Sequence, residues 1–504
     1  MSTNPTPQSN FRITEATIAG AHEAMMNGEL TARALVDAYR ARIDAYDQRG
    51  PTINAIITIN DTARARADAL DAEFAVSGKL SGPLHGIPIL VKDNIETAAM
   101  PTTQGCIGLA EFQPTVDATV IQQLESRGAI ILGKTTLPDF ATSWWAYSSL
   151  SGNTRNPYAL ECDPGGSSAG SGAAVAANFA MAALGTDCGG SVRVPSSFDN
   201  LVGIRSTPGL ISRNGAATLV FFQDTIGPMT RSVTDAARVF DALVGYDPAD
   251  SLTAHYLIAR VPATYTEFLD VDGLKGRRIG LVTNALGADD DPHSAPVNRV
   301  VRAALDSIRV AGAEVIEIQI PDLSQHIVAT SMYVNCSKYE INEFLMARPA
   351  AAMRSLQQIV EQQRYHPMLD LIEACVRGPE MPEYDPLYYR RLAAREEFAR
   401  TVINVMGGAA LDALVYPSVQ VVPPTREQLD ARMWTTLTFP TNTLIGSQTW
   451  MPSATVPAGF TEAGLPVGLE FLVKPYAEAS LFALAYAFEQ ATQHRRAPSS
   501  TPAL

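Results

Sequence analysis

Residues 163–172 read Asp-Pro-Gly-Gly-Ser-Ser-Ala-Gly-Ser-Gly, and residues 185–193 read Gly-Thr-Asp-Cys-Gly-Gly-Ser-Val-Arg. An alanine-rich apolar stretch that predicts a short helix lies between them. Glycine at this density is kept where the backbone needs a positive φ or must approach a neighbour closely. Successive backbone N–H groups in such a turn converge into an anion-binding concavity, and a serine at its end is well placed to be a nucleophile. The two Gly-Gly-Ser triplets are therefore the candidate site around which the chain is organised.

Length and composition fit a globular protein with a substantial core. The chain has 504 residues, of which 46% are apolar and 18% are charged, enough for one large α/β domain or two to three average domains. Its formal net charge of −14 offers no basic stripe to neutralise phosphates, so no nucleic-acid partner is expected.

Cysteine usage and the start of the chain predict a cytoplasmic protein. The five cysteines are scattered, odd in number and include no Cys-x-x-Cys pair, as expected of reduced thiols. Residues 1–10 are polar and lack the charged-then-apolar pattern of a signal peptide. No apolar run in the sequence is long enough to cross a bilayer, so no membrane partner is expected.

Strand and helix signals alternate along the chain. Apolar spacing predicts strands over residues 277–282 and 313–320 with a helix over 297–310 between them, and this alternation favours a largely parallel sheet covered by helices. Residues 332–400 are helical in pattern and rich in Tyr, Met and Arg, which predicts a cap or insertion that supplies substrate contacts. Residues 1–12 are expected to form a loose tail.

Lys92 directly follows residues 89–91, Ile-Leu-Val, whose branched composition predicts a short buried strand. A lysine is unusual there because burial penalises its charged form. Either its stem is buried while its ammonium group reaches water, or it is held neutral so that it can act as a base. The residues around Lys92 leave both interpretations open.

Three familiar catalytic patterns are not supported. Residues 128–135 match the phosphate-binding pattern Gly-x-x-x-x-Gly-Lys-Thr, but the intervening Ala-Ile-Ile-Leu reads as a strand, so Lys134 is expected to be a capping or surface residue. The Gly-x-Ser-x-Gly stretch over residues 166–170 lacks the preceding strand of a nucleophile elbow. The seven histidines are scattered and form no cluster with metal-ligand spacing, so no metal is expected.

The remaining scheme uses Ser191 as the nucleophile without a histidine. A serine hydroxyl needs a base within hydrogen-bond reach, and a lysine can be that base when burial and neighbouring donors lower its pKa. Lys92 is the lysine whose sequence setting fits. We therefore predict a hydrolase that works through a serine and a lysine.

The chain resembles the amidase signature family of serine hydrolases. The family's core motif appears as Gly-Gly-Ser-Ser over residues 165–168 and as Thr-Asp-Cys-Gly-Gly-Ser-Val-Arg-Val-Pro over 186–195. Its Gly-Pro-Leu-His-Gly-Ile-Pro…Lys-Asp-Asn element lies over 82–94, its Gly-Pro-Met-x-Arg-Ser-Val element over 227–233, and its Gly-Leu-Pro-Val-Gly-Leu element over 464–469. These elements occur in the family's order and span most of the chain.

The resemblance implies a Ser-cisSer-Lys triad, with Ser191 as the nucleophile, Ser167 as the bridging serine after a cis peptide bond, and Lys92 as the base. Asp187 and Arg193 would hold the glycine loop in shape. The oxyanion hole would be built from the backbone N–H groups of Cys188, Gly189, Gly190 and Ser191.

The resemblance also implies a fold. We expect α/β architecture in a single large domain over residues 13–497, with a mixed, mostly parallel central sheet covered by helices on both faces. The catalytic core would lie over about residues 81–245, and the helical cap over about 332–400.

Five aromatic residues near the two serine segments are candidates for a pocket wall, although core packing is their default explanation. They are Trp144, Trp145, Tyr147, Phe221 and Phe222. Any of them that faces the site would favour an apolar or aryl group. We therefore expect hydrolysis of a small apolar or aryl amide, with ester or carbamate hydrolysis as related activities.

The resemblance keeps a second function open, the glutamine-hydrolysing subunit of a tRNA-dependent amidotransferase, which works in a complex with a partner chain. No residues clearly match that subunit's glutamine pocket. We expect a small-molecule amide as the binding partner and no cofactor, and a homodimer stays open.

Overall fold

Thirteen strands and seventeen α-helices form the part of the fold described by the computed structural model, residues 11–504. The strands are β1 (Ile56–Ile59), β2 (Pro88–Lys92), β3 (Ile130–Thr135), β4 (Tyr147–Ser148), β5 (Gly152–Asn153), β6 (Ala182–Asp187), β7 (Val202–Arg205), β8 (Thr225–Thr230), β9 (Arg278–Val282), β10 (Glu314–Ile318), β11 (Ala413–Pro417), β12 (Ser453–Phe460) and β13 (Pro466–Leu472). The helices are α1 (Ile18–Met26), α2 (Ala32–Tyr46), α3 (Ala63–Ser77), α4 (Thr119–Ser126), α5 (Ala169–Ala176), α6 (Arg193–Phe198), α7 (Val233–Leu243), α8 (Ala254–Ile258), α9 (Ala295–Val310), α10 (Leu323–Ala329), α11 (Tyr333–Met346), α12 (Leu356–Glu361), α13 (Asp370–Val376), α14 (Tyr388–Gly408), α15 (Arg426–Asp430), α16 (Leu444–Gln448) and α17 (Glu478–Thr492).

Eleven of the strands form one sheet in the order β1-β3-β2-β6-β8-β7-β12-β13-β11-β9-β10, and β4 and β5 form a separate ribbon. Parallel pairing joins β3, β2 and β6 in one block and β11, β9 and β10 in another. The other six neighbouring pairs are antiparallel. The prediction of a single α/β domain with a large mixed sheet is confirmed.

Helices pack on the sheet in two layers. In one layer α4, α7, α17 and α9 contact one another in series, and in the other α5 contacts α6. The central strands are covered by both layers, and all five residues of β2 are buried, as expected of a parallel strand enclosed on two faces. Covered strands of this kind explain why residues 89–91 are purely apolar.

The helical region over residues 332–400 packs on the glycine-rich centre of the chain. It contains α11, α12, α13 and the first part of α14, in agreement with the helical pattern predicted for it. Buried side chains of α11 share an apolar cluster with Trp144, Cys188 and Val194. This region therefore supplies side chains to the surroundings of the candidate site.

Both ends of the described chain contact the main body. Most of the predicted tail, residues 1–10, lies outside the described residues, whereas Phe11 packs against the main core. At the other end, beyond the predicted boundary at 497, the guanidinium of Arg42 donates to the carbonyl oxygens of Thr501 and Pro502 at 2.7 and 2.8 Å. None of the helices described in residues 11–504 is long and apolar enough to span a membrane.

Candidate active site

Two neighbouring parallel strands bring Lys92 and Thr186 to one edge of the sheet. Val91 of β2 lies opposite Leu184 of β6, and Lys92 is the last residue of its strand. Because the carboxyl ends of parallel strands meet at the same edge, Nζ of Lys92 reaches to 2.9 Å from Oγ1 of Thr186. Asn94 donates from Nδ2 to the same oxygen over 3.0 Å.

Ser167 lies directly beside Lys92. The peptide bond between Gly166 and Ser167 is cis, as the resemblance implies, and helix α5 begins two residues later. Nζ of Lys92 lies 2.7 Å from Oγ of Ser167, and both side chains are fully buried. Two of the three predicted triad residues are therefore in hydrogen-bond contact.

Burial sets the protonation of Lys92. It lowers the pKa of the amine from 10.5 to about 7, and the carboxylates of Asp187 and Asp224 offset only part of that effect. A substantial fraction of the amine is therefore uncharged at neutral pH, which is the state that a general base needs. The alternative of a lysine whose ammonium group reaches water is wrong, because the side chain has no exposed surface.

Ser191 lies in the glycine loop after β6 and contributes to the wall of a cavity. The backbone N–H of Ser168 donates to the carbonyl oxygen of Ser191 over 3.1 Å, so the two serine segments are adjacent. Within residues 11–504, Oγ of Ser191 makes no hydrogen bond to another side chain. Its hydroxyl is thus available to a molecule in the cavity.

The glycine loop presents backbone donors that the described chain does not use. Across residues 11–504, the N–H groups of Gly189, Gly190 and Ser191 have no hydrogen-bond acceptor. The neighbouring thiol of Cys188 is buried, which raises its pKa well above the ordinary value and keeps it neutral. A neutral thiol is a poor nucleophile, so Cys188 does not compete with Ser191.

Asp187 and Arg193 form the centre of a buried ion-pair network below the loop. Nη2 of Arg193 and Nη1 of Arg205 each lie 2.9 Å from Oδ1 of Asp187. Arg193 also reaches Glu470 on β13, with 2.5 Å between Nη1 and Oε1. The two guanidinium groups hold the pKa of Asp187 well below its ordinary value despite its burial. This arrangement fits the structural role predicted for Asp187 and Arg193.

The cavity at Ser191 has a volume of about 270 Å³ and a mainly apolar wall. Its wall contains side chains from residues 141–219, from residues 327–391 and from residues 436–448. The residues that line it besides Ser191 are Ala141, Thr142, Ser143, Trp144, Cys188, Leu219, Ile327, Val328, Ser331, Tyr333, Val334, Asn335, Leu371, Arg391, Thr436, Leu437, Phe439, Leu444 and Gln448.

Of the five aromatic residues predicted near the site, the structure brings Trp144 to the cavity and places the other four elsewhere. Trp145 is buried and packs edge-on against Phe439. Tyr147 is buried, with its hydroxyl on Asp430 and its ring stacked on His366.

The two phenylalanines lie outside the cavity wall. Phe221 is 41% exposed and lies under the guanidinium of Arg213. Phe222 packs against Trp450 and the guanidinium of Arg395. These contacts explain both residues without a role in the pocket wall.

Four residues of the site are not predicted from the sequence. Thr186 and Asn94 lie inside the quoted motifs and close to the carboxyl ends of β6 and β2, and this position could have indicated their contact with Lys92. Tyr333 and Arg391 belong to a helical region whose packing on the loop depends on contacts far apart in sequence. Their position in the wall could not be read from local patterns.

Lys134 differs from its predicted surface position. It lies on β3, is fully buried, and pairs with Asp93 at 2.9 Å while also donating to Thr102. The rejection of a phosphate-binding loop is confirmed, because β3 occupies the stretch between the two glycines. A buried carboxylate partner, which the local sequence does not reveal, explains why this lysine is tolerated inside the sheet.

Comparison with known proteins identifies the family to which the chain belongs. The model of the amidase family matches residues 34–482. The glutamyl-tRNA(Gln) amidotransferase subunit of Thermosynechococcus vestitus is 34% identical over 497 residues, which cover 95% of this chain and 98% of that protein. The solved structure of native peptide amidase from Stenotrophomonas maltophilia is 34% identical with a TM-score of 0.85, covering 99% and 100% of the two chains. The structure of the glutamyl-tRNA(Gln) amidotransferase subunit from Thermotoga maritima is 25% identical with a TM-score of 0.78, covering 98% and 99%.

The mixed α/β sheet and the family match define an enzyme that hydrolyses carboxylic amide C–N bonds. The chain belongs to the amidase family, whose members carry the amidase signature.

Proposed function

We propose that this enzyme hydrolyses small apolar or aryl amides through an acyl-enzyme on Ser191, with ester or carbamate hydrolysis at the same site. The observation that carries the proposal is the buried contact of 2.7 Å between Nζ of Lys92 and Oγ of Ser167, in a site whose cavity wall includes Ser191. A neutral amine beside a hydroxyl supplies the base that a serine nucleophile needs.

The contacts of Lys92 support a route for its protons. Nζ of Lys92 and Nδ2 of Asn94 both donate to Oγ1 of Thr186, and Nζ lies 2.7 Å from Oγ of Ser167, so a neutral amine has its lone pair available to accept the proton of that hydroxyl. As Oγ of Ser191 bonds to the carbonyl carbon, its proton passes to Ser167 and the proton of Ser167 passes to Lys92. The free N–H groups of the glycine loop stabilise the oxyanion that forms.

Collapse of the tetrahedral intermediate breaks the C–N bond. The protonated Lys92 returns a proton through Ser167 to the leaving nitrogen, which departs as a neutral amine or ammonia. Water then attacks the ester on Ser191 by the same proton route and releases the carboxylic acid. Atoms and charge balance over one turnover without a cofactor.

The cavity wall supports an apolar acyl group. Leucine, valine, isoleucine and aromatic side chains dominate it, and the aromatic members are Trp144, Tyr333 and Phe439. None of the wall residues found in the described part of the chain is an aspartate or a glutamate. A substrate with an ammonium group would therefore lack a charged partner, whereas an apolar amide would not.

Glutamine hydrolysis in an amidotransferase complex is the second candidate, favoured by the 34% identity to the amidotransferase subunit of Thermosynechococcus vestitus. Free glutamine carries an ammonium group and a carboxylate; the cavity wall offers Arg391 to the carboxylate but no acid to the ammonium group. We therefore place this function second. It predicts copurification with a partner chain and release of ammonia from glutamine.

A panel of substrates tests the proposal. Purified enzyme is assayed with para-nitroacetanilide, N-acetylphenylalanine amide, para-nitrophenyl acetate, a para-nitrophenyl carbamate and glutamine, and Ser191→Ala is the control. We expect turnover of the anilide or the apolar amide, a burst of nitrophenol from the ester, and loss of both in the variant. Turnover of glutamine alone would favour the second candidate, and full activity of Ser191→Ala would rule out the acyl-enzyme.

We also propose a cytoplasmic location. All five cysteines are free and buried, which fits a compartment that keeps thiols reduced.

A further inference from the structure

Three consecutive carbonyl oxygens of the glycine loop are each held by a hydrogen bond. Nε2 of Gln223 donates to the oxygen of Cys188 over 2.6 Å, and Oγ1 of Thr443 donates to the oxygen of Gly189 over 2.6 Å. The backbone N–H of Val194 donates to the oxygen of Gly190 over 2.7 Å. The planes of three successive peptide bonds are thereby fixed.

A fixed carbonyl fixes the N–H group of the same peptide. The peptide is planar and these three bonds are trans, so each N–H points away from its own carbonyl oxygen. The corresponding N–H groups belong to Gly189, Gly190 and Ser191, and none of the three has an acceptor in residues 11–504. The hydrogen bonds to the three carbonyl oxygens therefore orient the three N–H groups in the opposite direction, where they can donate to an acceptor on that side of the loop.

Thr443 is built closely into this loop. Gly190 has a φ of +142°, and a Cβ atom on it would lie 2.0 Å from Oγ1 of Thr443. Thr443 directly precedes helix α16, and its own backbone oxygen accepts from Nη1 of Arg193 over 2.9 Å. The segment between β11 and β12 thus fixes the position of the Thr443 hydroxyl, which holds the carbonyl oxygen of Gly189 at 2.6 Å.

The side-chain oxygen and the backbone oxygen of Gln223 each accept a hydrogen bond from an arginine. Its side-chain oxygen accepts from Nη1 of Arg395 over 2.6 Å, and its backbone oxygen accepts from Nη2 of Arg205 over 2.6 Å. Because Oε1 faces a guanidinium, Nε2 must face the oxygen of Cys188, and the amide cannot flip without losing both contacts. Gln223 is buried, so water does not replace either contact.

Arg395 links this amide to helix α14. Its guanidinium is buried, its remaining hydrogen bonds in the described chain go to the backbone oxygens of Thr330 and Ser447, and it makes no ion pair with a carboxylate there. Burial lowers the pKa of Arg395 to about 10, which leaves it charged at neutral pH. A charged donor that lacks an acid partner interacts strongly with the Gln223 oxygen.

We infer that Gln223 and Thr443 are positioning residues that aim the oxyanion-stabilising N–H groups of the glycine loop, and that Arg395 transmits the placement of helix α14 to Gln223. The inference rests on the proposed function, because it assigns these residues to the transition state of acylation on Ser191. It deepens that function by naming side chains outside the loop on which the oxyanion hole depends.

Gln223→Glu is the sharpest test because it exchanges one donor group for an oxygen at constant shape. The variant keeps an acceptor for Arg395 and gains a charge that this arginine can pair, so the fold is retained. It loses the N–H donor to the carbonyl oxygen of Cys188 and places a carboxylate oxygen beside that carbonyl oxygen. We expect kcat for para-nitrophenyl acetate to fall by about 10²–10³-fold with KM changed less than about threefold.

Affinity for a transition-state analogue separates positioning from general damage. Trifluoroacetophenone adds to the nucleophilic serine and places an oxyanion in the hole, so its inhibition constant should rise by the same factor by which kcat/KM falls. A merely structural role would lower the melting temperature and leave the inhibitor affinity of the folded fraction unchanged. Wild-type affinity for this ketone in Gln223→Glu would overturn the inference.

Thr443→Val removes the hydroxyl at nearly constant volume, and Thr449→Val is its matched control. Thr449 is also buried, directly follows the same helix and donates to a backbone oxygen, that of Ile445, over 2.6 Å. We expect about a tenfold or larger loss of kcat and of inhibitor affinity in Thr443→Val, and neither in Thr449→Val. Equal effects in the two variants would contradict the role of Thr443.

A double-variant comparison tests the role of Arg395. If this arginine acts through Gln223, Arg395→Met added to Gln223→Met should lower kcat no further than Gln223→Met alone. Additive losses would show that Arg395 acts independently. If the wild-type enzyme turns over none of the substrate panel, the proposed function itself fails, and failure of the positioning inference alone shows as an active wild type with unaffected Gln223→Glu.

Discussion

The side-chain nitrogen of Lys92 lies 2.7 Å from the hydroxyl oxygen of Ser167, and no water-accessible surface remains on either side chain. The contact joins the end of one buried strand to the start of a short helix 75 residues later. Burial favours the uncharged amine, which is the protonation state required by the role as base that we propose for Lys92.

The first prediction concerns the dependence of rate on pH. Lys92 accepts a proton only when neutral, and its pKa is lowered to about 7. We expect kcat/KM to rise about tenfold per pH unit below about pH 7 and to level off above it. Asp224→Asn should move this limb to lower pH, because the charge of Asp224 favours protonated Lys92. A flat profile between about pH 5 and 9 would be incompatible with a lysine base.

The second prediction concerns stability. The folded-state pKa of Lys92 lies below its ordinary value of 10.5, so folding expels a proton between about pH 7 and 10.5. The resulting cost is absent above that window, grows as the pH falls through it and is constant below it. Lys92→Met should therefore raise the free energy of unfolding by about 1–4 kcal/mol at neutral pH, and less near pH 10.

Urea unfolding at two pH values measures this gain. Lys79→Met is the control, since Lys79 is exposed and its replacement should change stability by less than about 0.5 kcal/mol. A Lys92→Met variant that is less stable than the wild type at neutral pH would show that the amine is not penalised by burial.

The third prediction separates the bridging serine from its neighbours. Ser167→Ala removes the hydroxyl that contacts Lys92 and that we propose as the proton relay to Ser191, and should lower kcat/KM by about 10²–10⁴-fold. Ser171→Ala is matched to it, as Ser171 is also buried and lies on the helix that follows, where it donates to the oxygen of Leu184 over 2.9 Å. That variant should lose stability and keep its rate in steady-state assays. Comparable activity of the two variants would remove Ser167 from the proton route.

The fourth prediction concerns the shape of the glycine loop. Gly190→Ala would place Cβ 2.0 Å from Oγ1 of Thr443 at a φ of +142°, so we expect at least about 2 kcal/mol of destabilisation and loss of activity. Gly407→Ala, inside helix α14 with nothing within 4 Å of its Cβ, should instead stabilise by about 0.5–1 kcal/mol. Thermal unfolding and initial rates report both effects. An active, stable Gly190→Ala enzyme would show that the loop does not need this close approach.

The fifth prediction distinguishes two adjacent tryptophans. Trp144 lines the cavity, so Trp144→Ala should raise KM for para-nitroacetanilide about tenfold and admit bulkier amides. Trp145 does not line the cavity and packs against Phe439 of the wall, so Trp145→Ala should lower the free energy of unfolding by about 3–5 kcal/mol with a smaller change in KM. Substrate profiling and chemical unfolding of both variants check this. The opposite assignment of effects would show that the wall residue is Trp145.

The sequence predicts those features of the site that depend on residues close together in the chain. Lys92 at the end of an apolar strand and Ser191 at the end of a glycine turn are recognisable because strand, turn and nucleophile are contiguous in the chain. The family resemblance then relates Lys92 to Ser167. These relations follow from motifs, and the buried contact of Lys92 with Ser167 agrees with them.

Contacts between distant segments are what the sequence does not reveal. The burial of Lys134 depends on Asp93, a carboxylate on another strand end. The cavity wall depends on how Tyr333 and Arg391 pack over the loop, and the loop carbonyls depend on Gln223 and Thr443. In each case the partner lies in another element, and no periodicity near either residue indicates the pairing.

The reach of Arg193 to Glu470 has a consequence for how the protein matures. The two residues are 277 positions apart, and Ser447, another partner of this guanidinium, is 254 positions away. A ribosome releases Lys92, Ser167 and Ser191 long before it releases these acceptors. In the nascent chain the guanidinium of Arg193 therefore lacks its full set of hydrogen-bond partners until β13 has been synthesised. Hydrolytic competence should thus arise only after β13 has been synthesised, and a fragment that stops before β13 should remain inert.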